Sequence, residues 1–141
     1  MRFLIDTNIF IEIILEQERA SEARDLLSKV HEYDFFISDL SFHSIGFLLF
    51  RRKMHHSFEQ FSKDMIQDAG TIILSLSIED LNEIISSAFE FNLDFDDAYQ
   101  YAISEKYDLT IVSFDSDFDR THRGRKTPQN IINEKEMPNQ E

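Results

Sequence analysis

Cysteine is absent from the 141 residues, so disulfides, thiolate metal sites and a cysteine nucleophile are all excluded. The same absence is compatible with a reducing cytosol. Glycine and proline are scarce, at three and two residues, so long irregular loops are not expected. No long apolar run is present. The longest, Ile45 to Phe50, is far short of the roughly 20 residues that span a bilayer, so no membrane role is expected. Positive charge is the minority sign, with 14 Lys and Arg against 27 Asp and Glu and a formal net charge of −13. Such a chain repels polyanions at long range, which argues against simple coating of nucleic acid. It leaves room for nuclease chemistry, because clustered carboxylates are what bind Mg²⁺ or Mn²⁺.

What is present suits a globular fold with a real core: 42% hydrophobic and 29% charged residues. The length favours one domain, set here at residues 1–132, followed by a polar, flexible tail over 133–141. The opening residues look like a strand rather than a leader, and a cytoplasmic location is expected.

Short apolar runs alternate with helical patterns along the chain. Arg2 to Ile5, Phe35-Phe36-Ile37, Thr71 to Leu76 and Thr110 to Ser113 read as strands. Helices are expected over Ile9 to Leu15, around Ala23, Leu26, Leu27 and Val30, and from about Leu40 to Lys53 behind a Ser38 or Asp39 cap. Others follow at Phe58, Phe61, Met65 and Ala69 up to Gly70, at Leu81, Ile84, Ile85 and Ala88, and after Asp97. A short edge strand is expected at Ile131-Ile132. Strands alternating with helices predict βαβ units and an α/β fold, with a mostly parallel sheet between two helical layers. The helix at 40–53 is apolar on most sides, through Phe42, Ile45, Phe47, Leu48, Leu49 and Phe50. It is expected to be buried, with an oligomer interface as the alternative.

Asp6 and Asp115 each follow an apolar strand directly, and Asp96-Asp97 opens a helix. Singly, each acid has a structural explanation: a turn former, a helix cap or a partner for a helix dipole. Together they stand where an open α/β sheet places its chemistry, in the crevice beyond the strand C-termini. Two carboxylates about 5 Å apart repel by about 3 kcal/mol at an effective dielectric of 20, and a divalent cation would neutralise them. Mg²⁺ takes oxygen ligands and keeps several waters. It can polarise a phosphodiester and lower the pKa of an attacking water.

Three segments resemble the motifs of PIN-domain nucleases. Phe3-Leu4-Ile5-Asp6-Thr7-Asn8-Ile9-Phe10 looks like the first motif, Leu93-Asp94-Phe95-Asp96-Asp97-Ala98 the third, and Ile111-Val112-Ser113-Phe114-Asp115-Ser116-Asp117-Phe118 the last. Order and spacing fit over about residues 2–132. The resemblance implies a three-layer α/β/α sandwich with a central parallel sheet, and a Mg²⁺- or Mn²⁺-dependent ribonuclease. It also implies kinship with VapC-type toxins, which are held inactive by a cognate antitoxin and commonly form homodimers. Carried over, Asp6, Asp97 and Asp115 become catalytic metal ligands and Asp117 an accessory ligand or water-orienting group, with Asp96 as the alternative in another helix register.

One position departs from the family pattern. Where a Glu is usual in the helix after the second strand, this chain has Ser44, beside His43. Asp39 and Glu12 are the candidates to substitute for it. His43 is expected to pack in the core, with a reach to metal or phosphate as the alternative. Asn8, Arg120, Arg123, Arg125 and Lys126 are the substrate-binding candidates, because the basic stretch follows Asp115 directly and phosphate contacts need little else. Arg51-Arg52-Lys53 are assigned to the C-terminus of their helix rather than to RNA. Two rivals remain: a PIN-like module that binds RNA or protein without cutting, and an aspartyl phosphotransferase using Asp6. The second usually needs another Asp where this chain has Asn8.

Overall fold

Successive residues of a strand face opposite sides of a sheet, and here both sides are apolar. Phe3, Ile5, Phe35, Ile37 and Val112 enter one core, while Leu4, Phe36 and Ile111 enter another. Such strands are stable only with helices over both faces. The computed structural model describes residues 1–136 and has that arrangement. β1 (Arg2–Ile5), β2 (Asp34–Ser38), β3 (Ile72–Leu74) and β4 (Thr110–Val112) form a four-stranded sheet in the order β3-β2-β1-β4. All three pairings are parallel.

The first core lies under α1 (Thr7–Ile14), α2 (Ala20–Leu27), α3 (Asp39–Arg51), α4 (His55–Phe61) and α7 (Pro128–Glu136). The second lies under α5 (Leu81–Phe91) and α6 (Phe95–Tyr107). The α/β/α sandwich is therefore as expected. No described helix is long and apolar enough to cross a membrane.

The order of strands fixes where chemistry can occur. From β1 the chain moves outward through β2 to β3, then returns to lay β4 on the other side of β1. The crossovers diverge between β1 and β4, which opens a crevice beyond their C-terminal ends. Asp6 and Ser113 are the first residues past those two strands.

Several local expectations need correction. Ile131-Ile132 is not a strand. Both residues lie in α7 with Ile131 in the first core, and β4 is bordered instead by a single parallel bridge from Val112 to Lys126. Asn133 to Glu136 continue that helix, and the rest of the expected tail lies outside the described residues. α3 is not buried all round: Ile45 and Leu49 are, but Phe47 and Phe50 are 66% and 52% exposed. The strand at 71–76 is shorter than expected. His43 is exposed rather than packed.

Phe118 connects core and crevice. It is fully buried in the second core, on a short 3-10 turn over Ser116–Arg120 that also carries Asp117. Phe118→Ala is expected to cost about 3–5 kcal/mol by cavity formation. Urea unfolding would measure this, and a loss below about 1 kcal/mol would show that the turn does not depend on its anchor.

Candidate metal centre

Each acid reaches the crevice by a distinct local device. Asp6 caps α1: its Oδ1 accepts from the Thr7 amide at 2.8 Å. Asp94 caps α6, accepting from the Asp97 amide at 3.2 Å, and so places Asp97 in the first helical turn. Asp115 caps the 3-10 turn, accepting from the Asp117 amide at 2.9 Å. Short polar side chains at such junctions satisfy backbone donors that helices leave unpaired.

The carboxylates of Asp97, Asp115 and Asp117 offer oxygens that all lie within 4.8 Å of one another. Asp6 stands beside this trio and is held by four donors. Its Oδ1 takes Thr7 N and the Gln100 amide at 2.9 Å, and its Oδ2 takes Ser113 Oγ at 2.7 Å and Asn8 Nδ2 at 3.4 Å. Burial raises the Asp6 pKa. The hydrogen bonds from Ser113, Gln100 and Thr7 oppose that shift, and the Asp115 charge adds to it. Asp97 is pushed up to about 8, first by burial and then by the charges of Asp115, Asp94 and Asp6 and a hydrogen bond with Asp115. Asp97 therefore releases its proton at a higher pH than a carboxyl in bulk water does.

The other candidates fall into different places. Asn8 ties the two strand ends together: its Nδ2 donates to Ser113 Oγ at 3.1 Å and its Oδ1 accepts from the Phe114 amide at 3.1 Å. Asp96 is exposed and outside the carboxylate group. Asp39 accepts from the Tyr99 hydroxyl at 2.8 Å, and Glu12 accepts from the Arg19 amide at 2.8 Å, so neither joins the group. Ser44 is half-buried on α3.

All four basic candidates have intramolecular partners. Arg120 donates to Asp117 Oδ1 at 2.9 Å and to the carbonyls of Phe91 and Asn92. Arg123 pairs with Asp108, Arg125 with Asp119, and Lys126 with Glu134. These pairs brace the loop after the 3-10 turn. Arg120 also holds Asp117.

Two residues of the site carried no role in the sequence reading. Ser113, part of the last motif, connects Asp6, Asn8 and the Asp115 amide. Gln100 stands one turn after Asp97, on the same face of α6.

The donor set is all oxygen, which is what a hard divalent cation requires. Three carboxylates this close are mutually repulsive without one. These features fit a cation such as Mg²⁺ or Mn²⁺.

Comparison with known proteins agrees with the architecture. The sequence matches the family model described as PIN domain over residues 3–124. No curated protein matches. Among solved structures, a toxin-antitoxin complex from Klebsiella pneumoniae aligns with a TM-score of 0.68 at 21% identity, covering 89% of this chain and 96% of that one. VapBC2 from Rickettsia felis, bound to a DNA fragment from its promoter, aligns with a TM-score of 0.73 at 13% identity, covering 89% and 97%. VapC20 of Mycobacterium tuberculosis, described as a Sarcin-Ricin loop cleaving toxin, gives 0.69 at 16% identity, covering 83% and 92%. At these identities the likeness is one of fold.

Proposed function

The chain belongs to the PIN domain family, and from that premise we propose that it is a divalent-metal-dependent endoribonuclease, the toxin of a toxin–antitoxin pair. The observation that carries the reading is the convergence of the Asp97, Asp115 and Asp117 carboxylates within 4.8 Å of one another. The descriptions of its structural neighbours as toxins and toxin–antitoxin complexes support the biological setting. RNA as substrate would set the site of action in the cytoplasm.

In this reading Asp6, Asp97 and Asp115 hold Mg²⁺ or Mn²⁺ with Asp117 as the accessory ligand, and the geometry of Asp97, Asp115 and Asp117 supports it. A bound cation would supply Lewis acidity to the phosphodiester and a lowered pKa to the attacking water. The chain's own part is geometric and electrostatic. Asn8 and Ser113 fix the distance between the ends of β1 and β4. Arg120 steadies Asp117, and the braced loop at 120–126 offers its outer edges to RNA phosphates. No side chain needs to form a covalent intermediate.

A cognate antitoxin and a second copy of the chain are the proposed protein partners. The exposed Phe47, Phe50, Ile72 and Ile73 on α3 and β3 support a surface that is covered in an assembly. The absence of the second-motif Glu favours one further reading, a binding module that no longer cuts.

Induced expression tests the proposal. Wild type is expected to arrest growth and to cleave RNA when Mn²⁺ is supplied, and Asp6→Asn to relieve both. Equal behaviour of wild type and Asp6→Asn would remove the toxin assignment. RNA binding without saturable Mn²⁺ binding in calorimetry would favour the binding module.

A further inference from the structure

Gln100 is 2% exposed, and its amide lies between three elements. From α6, Nε2 donates at 2.9 Å to Asp6 Oδ1 past the end of β1, and at 2.9 Å to Ser41 Oγ on α3. Ser41 Oγ also accepts from Thr7 Oγ1 at 2.8 Å. Ser41 precedes Ser44 by one helical turn, so the two share a face of α3. The family pattern has its second-motif carboxylate at the Ser44 position, and the amide of Gln100 meets the same helix one turn earlier.

Chemistry fixes the orientation of this amide. Asp6 Oδ1 already accepts from the Thr7 amide, so Gln100 presents its N–H₂ to that oxygen and turns Oε1 away. The result is a buried carbonyl oxygen with no partner among the described residues, an arrangement that ordinary packing disfavours. A glutamate here would add a negative charge 2.9 Å from Asp6 Oδ1 in place of a donor. The amide therefore does what an extra carboxylate could not do without a cation: it holds Asp6 in place while adding no charge.

We propose that Gln100 is the positioning residue of the metal centre, orienting Asp6 and compensating for the missing second-motif carboxylate. This rests on the nuclease reading above. Outer groups that hydrogen-bond to ligating carboxylates typically govern metal affinity by about 10–100-fold. A centre with one carboxylate fewer depends more heavily on that orientation.

The test is Mn²⁺ calorimetry, with RNA cleavage kinetics alongside, on wild type, Gln100→Met, Gln100→Asn, Asp97→Asn and the double variant Gln100→Met with Ser44→Glu. Met keeps the side-chain volume and removes the donor. Asn keeps the amide and withdraws it by one methylene, which covers the case in which the Met variant misfolds. Both are expected to lose about tenfold or more in Mn²⁺ affinity, with kcat lowered and KM for RNA unchanged. Adding Ser44→Glu is expected to restore affinity, because it returns a carboxylate to the position the family pattern uses. Unchanged Mn²⁺ affinity in both single variants, with affinity lost in Asp97→Asn, would overturn the role of Gln100 and leave the centre standing. A double variant no better than Gln100→Met would overturn the compensation. Wild type and Asp97→Asn that bind Mn²⁺ equally would overturn the centre itself.

Discussion

Asp97→Asn is expected to abolish RNA cleavage in practice, by at least about a thousandfold, while making the metal-free protein more stable. The first effect follows from the position of Asp97 in the carboxylate group and its place in the first turn of α6. Loss of one preorganised electrostatic contact in an active site typically costs about 3–4 kcal/mol of transition-state stabilisation, and about 4 kcal/mol is a thousandfold in rate. The second effect follows from repulsion. Asp97 is buried, its pKa is pushed up to about 8, and Asp115, Asp94 and Asp6 all contribute their charges to that shift. Asn has the same shape without the charge. Allowing for screening on the open side of the crevice, the gain is expected to be about 1–2 kcal/mol near pH 8. Calorimetric unfolding in EDTA and cleavage of RNA in Mn²⁺ would measure the two effects. If activity and stability fell together, Asp97 would be an ordinary structural residue. Opposite signs are the mark of a group retained for function at a cost to the fold.

Much of the architecture was readable because its signals are local. The apolar tripeptides Phe3-Leu4-Ile5 and Phe35-Phe36-Ile37 can be stable only as strands covered on both faces, and the helical spacings between them require crossovers. What failed had a nonlocal cause. Ile131-Ile132 carries a β-branched pair, the signature of a strand, yet Pro128 stands at the first position of a helix there, and Ile131 packs into the core beneath α2 and α7. Packing against that neighbour outweighs the local preference. The apolar stretch at Phe47 to Phe50 misled in the opposite sense. Hydrophobic content alone cannot distinguish a side chain buried in its own core from one presented to a partner. The exposure of Phe47 and Phe50 emerges only once α4 and β3 are placed around α3.

The site was legible as far as the backbone dictates it. Asp6 and Asp115 follow the C-terminal ends of β1 and β4, which a parallel pair sets at one edge of the sheet, and Asp97 opens α6. The supporting network was not legible, because it joins residues distant in sequence: Gln100 to Asp6 across 94 positions and Ser113 to Asp6 across 107. The basic loop shows a related limit. Arg120, Arg123, Arg125 and Lys126 follow the acids so closely that they resemble substrate contacts. Their carboxylate partners, Asp117, Asp108, Asp119 and Glu134, were visible in the sequence but could not be paired with them before folding.

Metal-free protein is expected to lose stability as pH rises from about 5 to 8, and Mn²⁺ is expected to reverse that trend. In the folded chain Asp97 titrates at about 8, against an ordinary value of 3.8, and Asp6 is shifted in the same direction. Between those limits the folded state binds a proton that the unfolded state has released. Folding is therefore favoured at the acid end of the window and disfavoured as pH climbs through it. The general acidity of the chain acts in the same direction, since its net charge of −13 at pH 7 deepens with pH. Asp97→Asn separates the two contributions: it should flatten the dependence by the part that belongs to the centre and leave the global part unchanged. A divalent cation competes with the bound proton for the same oxygens, so its affinity rises as the proton leaves. At about 100 times its dissociation constant it would add about 2.7 kcal/mol, most of it at pH 8 and little at pH 5. Scanning calorimetry at the two pH values would show Asp97→Asn the more stable at pH 8 in EDTA and wild type the more stable at pH 8 in Mn²⁺. A wild-type protein more stable at pH 8 than at pH 5 in EDTA would mean that Asp97 does not hold its proton into this range. The electrostatic case for a cation at this crevice would fall with it.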